Sequence, residues 1–194
     1  MSRRNDRIMA FYVIFEKGFH ENETQNAEYT ENEENLKELK ESIREAVDYF
    51  IAEFGHPGCD WNLVLEEILG VFKNIAVIDR YISDSSHDWD ITRINKVDLA
   101  ILRLAVFEIL FAPNVPASIA INEAVEITKK FSSPQAASFI NGILGSVEKS
   151  FSKNPDTENP NKDATEEKRN PDTDTDTERG LAVNVADTEN PNKD

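Results

Sequence analysis

Apolar residues recur every three to four positions through most of the chain up to residue 152, which is the period of an amphipathic helix. Strands would need strict alternation, and no such segment interrupts the helical pattern. The predicted helices span about 3–17, 34–54, 60–83, 95–111 and 116–131, and a sixth opens at Ser133-Pro134. The pattern therefore predicts an all-α fold, a compact bundle of six to seven helices.

The segment from Val97 to Phe111 is apolar on nearly every face, interrupted only by Asp98, Arg103 and Glu108. A helix that is apolar all round is buried all round, so this segment is predicted to be the central helix. Gly142 and Gly145 lie inside the last predicted helix, where glycine weakens a helix, so we expect another helix to approach closely there.

Three helix starts carry recognisable capping residues. Asp60 is a favourable N-cap, and Asn95 followed by Asp98 resembles an acidic variant of the capping box. Pro134 takes the first helical position after Ser133, where proline is well tolerated.

Three stretches lack the helical period. Residues 18–33 are predicted to be a long acidic loop, and residues 84–94 form an aspartate-rich link that contains Trp89. Residues 153–194 hold 6 basic and 12 acidic residues, and the sequence DTENPNKD occurs twice, at 156–163 and 187–194. Such a composition buries too little apolar surface to offset chain entropy, so we predict a disordered acidic low-complexity tail.

The formal net charge of −16 repels nucleic acid at long range, so any binding of nucleic acid must depend on a local basic patch. Cys59 is the single cysteine, which excludes an internal disulfide and a cysteine-based zinc site. The chain has no apolar run of 18 residues and no cleavage-site pattern after its first apolar stretch. A cytoplasmic protein is therefore expected.

The sequence contains no recognisable catalytic constellation. His20, His56 and His87 fall in predicted loops or turns, without the spacing of a helical metal site. Phosphate-binding loops, nucleophile elbows and dinucleotide fingerprints are also absent from the sequence. We therefore predict that the protein is not an enzyme and needs neither a cofactor nor a metal.

The first predicted helix begins with three arginines: Arg3, Arg4 and Arg7. Positive charge in a first turn opposes the helix dipole, so these arginines suggest another use, such as bidentate contact with phosphate. A solvated N-terminus with no binding role is the alternative that this motif leaves open.

Charged residues inside the later helices are assigned structural roles. We predict a capping role for Asp98 and an ion pair with an internal partner for Arg103, because buried charges need partners. Asn122 and Glu123 are predicted to cap a neighbouring element.

Four ordered segments resemble the NusB family of transcription antitermination factors. They are VDLAILRLA at 97–105, VPASIAINEAVE at 115–126, KKF at 129–131 and FINGIL at 139–144. Trp89 and Arg93-Ile94 fit the same family, as do Ser2-Arg3-Arg4 and Arg7 with the aromatic face behind them. The resemblance does not extend into residues 153–194.

The resemblance implies a bundle of two three-helix halves over residues 1–152 that binds boxA-type single-stranded RNA in nascent rRNA transcripts. It implies that the protein acts together with NusE, a small-subunit ribosomal protein, within the transcription elongation complex. The RNA-binding residues it implies are Arg3, Arg4, Arg7, Gln135, Ser138 and Phe139, and the partner-binding residues are Phe15 and Asp98. Members of the family occur as monomers or homodimers, and no residue of this sequence decides between them.

Several positions depart from the family pattern in the direction of less positive charge. Leu99 and Ser138 stand where relatives often carry a basic residue, and Asn5-Asp6 interrupt the arginine cluster. The alternative function is therefore a NusB-like helical protein-interaction scaffold with weak or lost RNA binding.

Overall fold

The computed structural model describes residues 3–20, 33–54, 58–86 and 90–153. Within these ranges the chain forms seven α-helices, one short 3-10 helix and no strand. The α-helices are α1 (Arg3–His20), α2 (Glu33–Phe54), α3 (Trp61–Lys73), α4 (Ile75–Ser85), α5 (Lys96–Phe111), α6 (Ala117–Phe131) and α7 (Pro134–Lys153). The predicted all-α bundle is confirmed.

Helix α5 is the centre of the bundle, as its sequence predicts. Every residue from Asp98 to Leu110 is buried. Helices α1, α3, α4, α6 and α7 all pack against α5, while α2 packs on α1. Helix α5 therefore joins an N-terminal group of helices (α1, α2 and α3) to a C-terminal group in which α6 and α7 pack on each other.

The predicted helix starts are confirmed. The Asp60 side chain accepts a hydrogen bond from the N–H of Asn62, and the Asn95 side chain accepts one from the N–H of Val97. Ser133 Oγ accepts from the N–H of Ala136 at 3.1 Å. These bonds satisfy N–H groups that the first turn of a helix leaves without a partner.

The single helix predicted over 60–83 is wrong, because two helices, α3 and α4, meet at Asn74. The Asn74 side-chain amide donates to the carbonyl of Gly70 at 2.8 Å, and its own N–H also reaches that carbonyl at 3.2 Å. A short amide side chain that binds the nearby backbone competes with the regular helical ladder, which explains the break.

Two predicted irregular stretches are shorter than expected. Helix α1 continues to His20 and α2 begins at Glu33, so only 21–32 of the predicted loop lie outside the described residues. The predicted link over 84–94 contains a 3-10 helix at Ile91–Arg93, whose first turn is capped by Asp90. Trp89 lies outside the described residues.

The glycine prediction is also wrong. A Cβ added at Gly142 or Gly145 would meet no atom within 4 Å, so no neighbouring helix requires glycine at these positions. The close approach occurs at Gly70 of α3, where an added Cβ would lie 2.2 Å from the Phe107 ring of α5. Glycine is required only where its helix face meets a bulky side chain of a neighbouring helix, and the sequence pattern alone does not show where that occurs.

The predicted tail falls almost wholly outside the described residues. Lys153 is the last residue of α7, and both copies of the DTENPNKD repeat lie beyond it. None of the helices in the described part of the chain is long and apolar enough to cross a membrane.

Candidate nucleic-acid interface

Arg7 lies inside the bundle, where it pairs with Glu108 of α5. Its Nε lies 2.9 and 3.0 Å from the two carboxylate oxygens, and the side chains are 5% and 1% exposed. A buried charge needs a hydrogen-bonded partner, and this pair supplies one to each residue. Arg7 therefore fixes the start of α1 against the central helix.

A second carboxylate lies close to this ion pair. Glu67 of α3 is 6% exposed, and its Oε2 has no hydrogen-bond partner. Burial, reinforced by the negative charge of Glu108 and opposed by Arg7, raises the pKa of Glu67 to about 8. A protonated Glu67 is the form that this environment favours at neutral pH.

Arg4, one turn before Arg7, lies at the surface and pairs with Glu123 of α6. Nε and Nη2 of Arg4 donate to the two carboxylate oxygens at 2.8 and 2.7 Å. The Arg4 side chain is 50% exposed, whereas that of Glu123 is 18% exposed. Glu123 therefore forms an ion pair with α1, and the prediction that it caps a neighbouring element is wrong.

The surface between α1 and α6 forms an open cleft of about 420 Å³, which is lined by Arg4, Lys129 and Lys130 together with Glu126. Lys129 Nζ lies 2.6 Å from Glu126 Oε1, and Lys130 Nζ lies 4.9 Å from the centre of the Phe131 ring. We call this surface the basic cleft. Arg3 is also exposed at the start of α1.

The predicted RNA-binding residues of α7 lie close to the end of α6 along the chain. Gln135 and Ser138 are exposed, and Phe139 is half-buried against the core. Only Ser132 and Ser133 separate α6 from α7, so the first turn of α7 follows closely on Lys130.

The two predicted partner-binding residues, Phe15 and Asp98, lie at the end of the bundle opposite to the start of α1. Arg7 contacts Glu108 near the end of α5, whereas a Cβ on Gly18 would lie 3.5 Å from the Arg103 guanidinium. Helices α1 and α5 therefore run in opposite directions. Phe15, late in α1, and Asp98, early in α5, consequently share one end of the bundle.

Phe15 borders an open groove of about 540 Å³ between α1 and α2. Tyr12, Phe50 and Tyr49 supply aromatic surface to this groove, and Tyr49 is 70% exposed. Glu16 and Glu45 add negative charge to its lining, and Lys17, which pairs with Glu16 at 3.4 Å, adds one positive charge. We call this surface the aromatic groove.

Charged residues of α5 follow the structural predictions in part. Arg103 forms a bidentate ion pair with Asp79 of α4 at 2.8 and 2.7 Å, which confirms an internal partner. Asn95 caps the helix, but Asp98 Oδ1 is buried without a hydrogen-bond partner, so the reciprocal half of a capping box is not formed. Leu99 is 2% exposed and belongs to the core.

Sequence reasoning missed several contributors to these surfaces. Lys129 and Lys130 form a basic pair in the sequence, but no motif around them or around Glu126 indicates a binding role. No local pattern identifies Glu123 as the partner of Arg4, which is 119 positions away in the chain. Among the described residues, no group of three His, Cys, Asp or Glu side chains is placed to hold a metal ion.

Comparison with known proteins agrees with the predicted resemblance. The model of the NusB family matches residues 4–149. The transcription antitermination protein NusB of Clostridium botulinum (strain Loch Maree / Type A3) is 37% identical over 148 residues, which cover 76% of this chain and 99% of that protein. The same protein of Acetivibrio thermocellus is 43% identical over 114 residues, or 59% of this chain and 79% of that protein.

Solved structures share the fold. A structure of T. maritima NusB is 28% identical, with a TM-score of 0.57 over 77% of this chain and 92% of that one. NusB in a crystal structure with NusE and dsRNA is 21% identical, with a TM-score of 0.59 over 76% of this chain and 96% of that one. Since the family model spans most of the described helices and relatives match at 37% identity or more, this chain belongs to the NusB family.

Proposed function

We propose that the protein is a transcription antitermination factor that binds boxA-type single-stranded RNA in nascent rRNA transcripts together with NusE, and so supports processive transcription in the elongation complex. The observation that carries the proposal is the basic cleft beside the exposed Arg3 and Arg4, in a chain whose relatives are transcription antitermination proteins.

The proposed RNA surface combines the start of α1 with the end of α6 and the start of α7. Arg3 and Arg4, with Lys129 and Lys130, supply phosphate contacts, and the exposed Gln135 and Ser138 supply polar contacts beside them. The half-buried Phe139 is proposed to complete this surface.

We assign Arg7 a positioning role in this proposal. Its guanidinium is buried against Glu108, so it holds the first turns of α1 in place instead of reaching a phosphate itself. Arg3 and Arg4 then project from a fixed helix start.

We place NusE at the end of the bundle that holds Phe15 and Asp98. The aromatic groove beside Phe15 offers apolar surface, and Glu16 and Glu45 favour a basic partner. With about four phosphate contacts, the logarithm of the association constant for single-stranded RNA should fall with the logarithm of the salt concentration with a slope of about −3, since each contact contributes about 0.7. A basic partner would enlarge the phosphate-binding surface and offset the net charge of −16.

The test is fluorescence anisotropy with labelled boxA RNA at two salt concentrations, with and without NusE. The wild type is compared with Arg3→Gln/Arg4→Gln, and the control Arg44→Gln/Arg80→Gln removes two exposed arginines elsewhere. We expect binding that NusE strengthens, that the control retains and that the Arg3/Arg4 variant loses. Equal affinity with and without NusE would contradict the partner role.

The alternative is an interaction scaffold of NusB fold with weak or lost RNA binding. It is favoured by the pairing of Arg4 with Glu123 and of Lys129 with Glu126, which offsets much of the positive charge of the basic cleft. Wild-type protein that binds NusE but shows no affinity for RNA under any condition would establish the scaffold.

A further inference from the structure

Two cations that line the basic cleft already hold an anion from the protein itself. Arg4 binds both oxygens of Glu123, and Lys129 lies 2.6 Å from Glu126. The hydrogen bonds from Arg4 lower the pKa of Glu123, and that from Lys129 lowers the pKa of Glu126. Both carboxylates are therefore ionised at neutral pH.

The Arg4–Glu123 contact occupies the same donors that a phosphate would use. The planar fork of an arginine binds a carboxylate and a phosphate in the same bidentate geometry. The two donor distances of 2.8 and 2.7 Å are those of a fully formed contact. A phosphate that takes both donors of Arg4 must therefore displace Glu123.

The packing of α6 keeps Glu123 beside Arg4. The adjacent Ala124 is 3% exposed and Ala120, one turn earlier, is 1% exposed, so this part of α6 is held against the core. Arg4 is the more exposed partner, at 50% against 18% for Glu123. Exchange between carboxylate and phosphate therefore proceeds by movement of Arg4.

We propose that Glu123 and Glu126 are internal anions that compete with RNA phosphates for Arg4 and Lys129, and thereby lower the intrinsic affinity of the basic cleft for RNA. This inference rests on the proposed RNA-binding function and adds to it a regulation of the same site. Glu123 is the stronger competitor, because its contact is bidentate and less exposed than that of Glu126.

The competition has a signature in the salt dependence of binding. A phosphate that binds a free arginine displaces a condensed counterion from the RNA, which steepens the salt dependence by about 0.7 per contact on a single strand. When the arginine first leaves Glu123, the released carboxylate recovers cations from solution, which partly cancels this effect. Wild-type binding should therefore depend less on salt than its number of phosphate contacts implies.

The test compares Glu123→Gln with the wild type by anisotropy, using a boxA RNA and a scrambled RNA of equal length. Glutamine still accepts a hydrogen bond from Arg4 but carries no charge. Asp84→Asn is the matched control, because it removes one carboxylate that pairs with an exposed arginine, Arg80, on α4. A double-mutant cycle with Arg4→Gln separates local competition from a general change in charge.

We expect Glu123→Gln to bind both RNAs about two- to fivefold more tightly than Asp84→Asn, with a steeper salt dependence. Glu126→Gln should have a smaller effect in the same direction. In the Arg4→Gln background, the gain from Glu123→Gln should disappear.

Weaker binding by Glu123→Gln would overturn the inference, because Glu123 would then position Arg4 for RNA. An equal gain in the Arg4→Gln background would also overturn it, since the effect would be long-range. A failure of the proposed function is seen separately: boxA RNA would then bind no better than scrambled RNA when NusE is present. The competition concerns phosphates, so the effect of Glu123→Gln should appear with both RNAs.

Discussion

The two ends of α1 are built from different chemistry. At the first end, Arg4 and Arg7 pair with carboxylates on α6 and α5, and the surface is charged. At the other end, Phe15 borders a groove with aromatic walls against α2. One helix thus offers a polar surface and an apolar surface, and the difference between Arg4 and Arg7 shows that neighbouring arginines of one cluster need not share a role.

The largest expected effect is at Arg7. Arg7→Ala leaves Glu108 buried at 1% exposure without its partner, so we expect a loss of about 3–5 kcal/mol in the free energy of unfolding. Urea denaturation measures it. The double variant Arg7→Met/Glu108→Leu should recover much of the loss, because it buries no charge. A loss below about 1 kcal/mol for Arg7→Ala would show that the pair is not buried as described.

The next effect concerns Glu67, which lies near the Arg7–Glu108 pair. The pKa of Glu67 is about 8 in the folded protein and exceeds the ordinary value of 4.5. Between these two pH values the folded protein therefore binds more protons than the unfolded chain does. The free energy of unfolding contributed by Glu67 therefore falls as the pH rises from about 4.5 to about 8. Glu67→Gln should remove this fall and gain stability relative to the wild type, by at most a few kcal/mol.

Denaturation of wild type and Glu67→Gln at several pH values tests this expectation. Glu66→Gln is the control, because Glu66 is the exposed neighbour on the same helix. The stability difference between Glu67→Gln and wild type should widen with pH and become constant above about 8, while the control keeps a constant difference. Parallel profiles for all three proteins would contradict the raised pKa.

A smaller effect is expected where α3 meets α5. Gly70→Ala places a methyl group 2.2 Å from the Phe107 ring, so we expect a loss of about 1–3 kcal/mol through overpacking. Gly142→Ala should instead be neutral or stabilising by up to about 1 kcal/mol, since its Cβ meets nothing within 4 Å. Thermal melts of both variants provide the measurement, and equal melting temperatures would argue against the close approach.

The smallest effect on stability is expected at Arg4. Its ion pair with Glu123 lies at the surface, where solvent screens the charges, so Arg4→Ala should lower the free energy of unfolding far less than Arg7→Ala does. The same urea experiment as for Arg7→Ala gives the value. A loss as large as that of Arg7→Ala would remove the distinction between the structural and the exposed arginine.

The features of the fold that depend on local sequence pattern were predicted correctly. The burial of α5 follows from its apolar residues on every face, and the helix starts at Asp60 and Asn95 follow from capping residues. The break at Asn74 was missed, because an apolar period continues across it and only the side-chain hydrogen bond to Gly70 interrupts the helix.

The candidate site was predicted less completely than the fold. The sequence identified the arginines of α1 but not which of them is buried. That distinction depends on Glu108 and Glu123, which are 101 positions from Arg7 and 119 from Arg4. Pairings between distant positions depend on how the helices pack, and a period within one helix does not contain that information.

The length of α1 also sets the distance between the basic cleft and the aromatic groove. With a rise of 1.5 Å per residue, Arg3 and Phe15 are separated by roughly 18 Å along α1. This exceeds two Debye lengths at physiological ionic strength, where the length is about 8 Å. The charges of the aromatic groove are therefore largely screened from the basic cleft, so a partner bound in the groove adds to RNA binding through phosphate contacts that it makes itself.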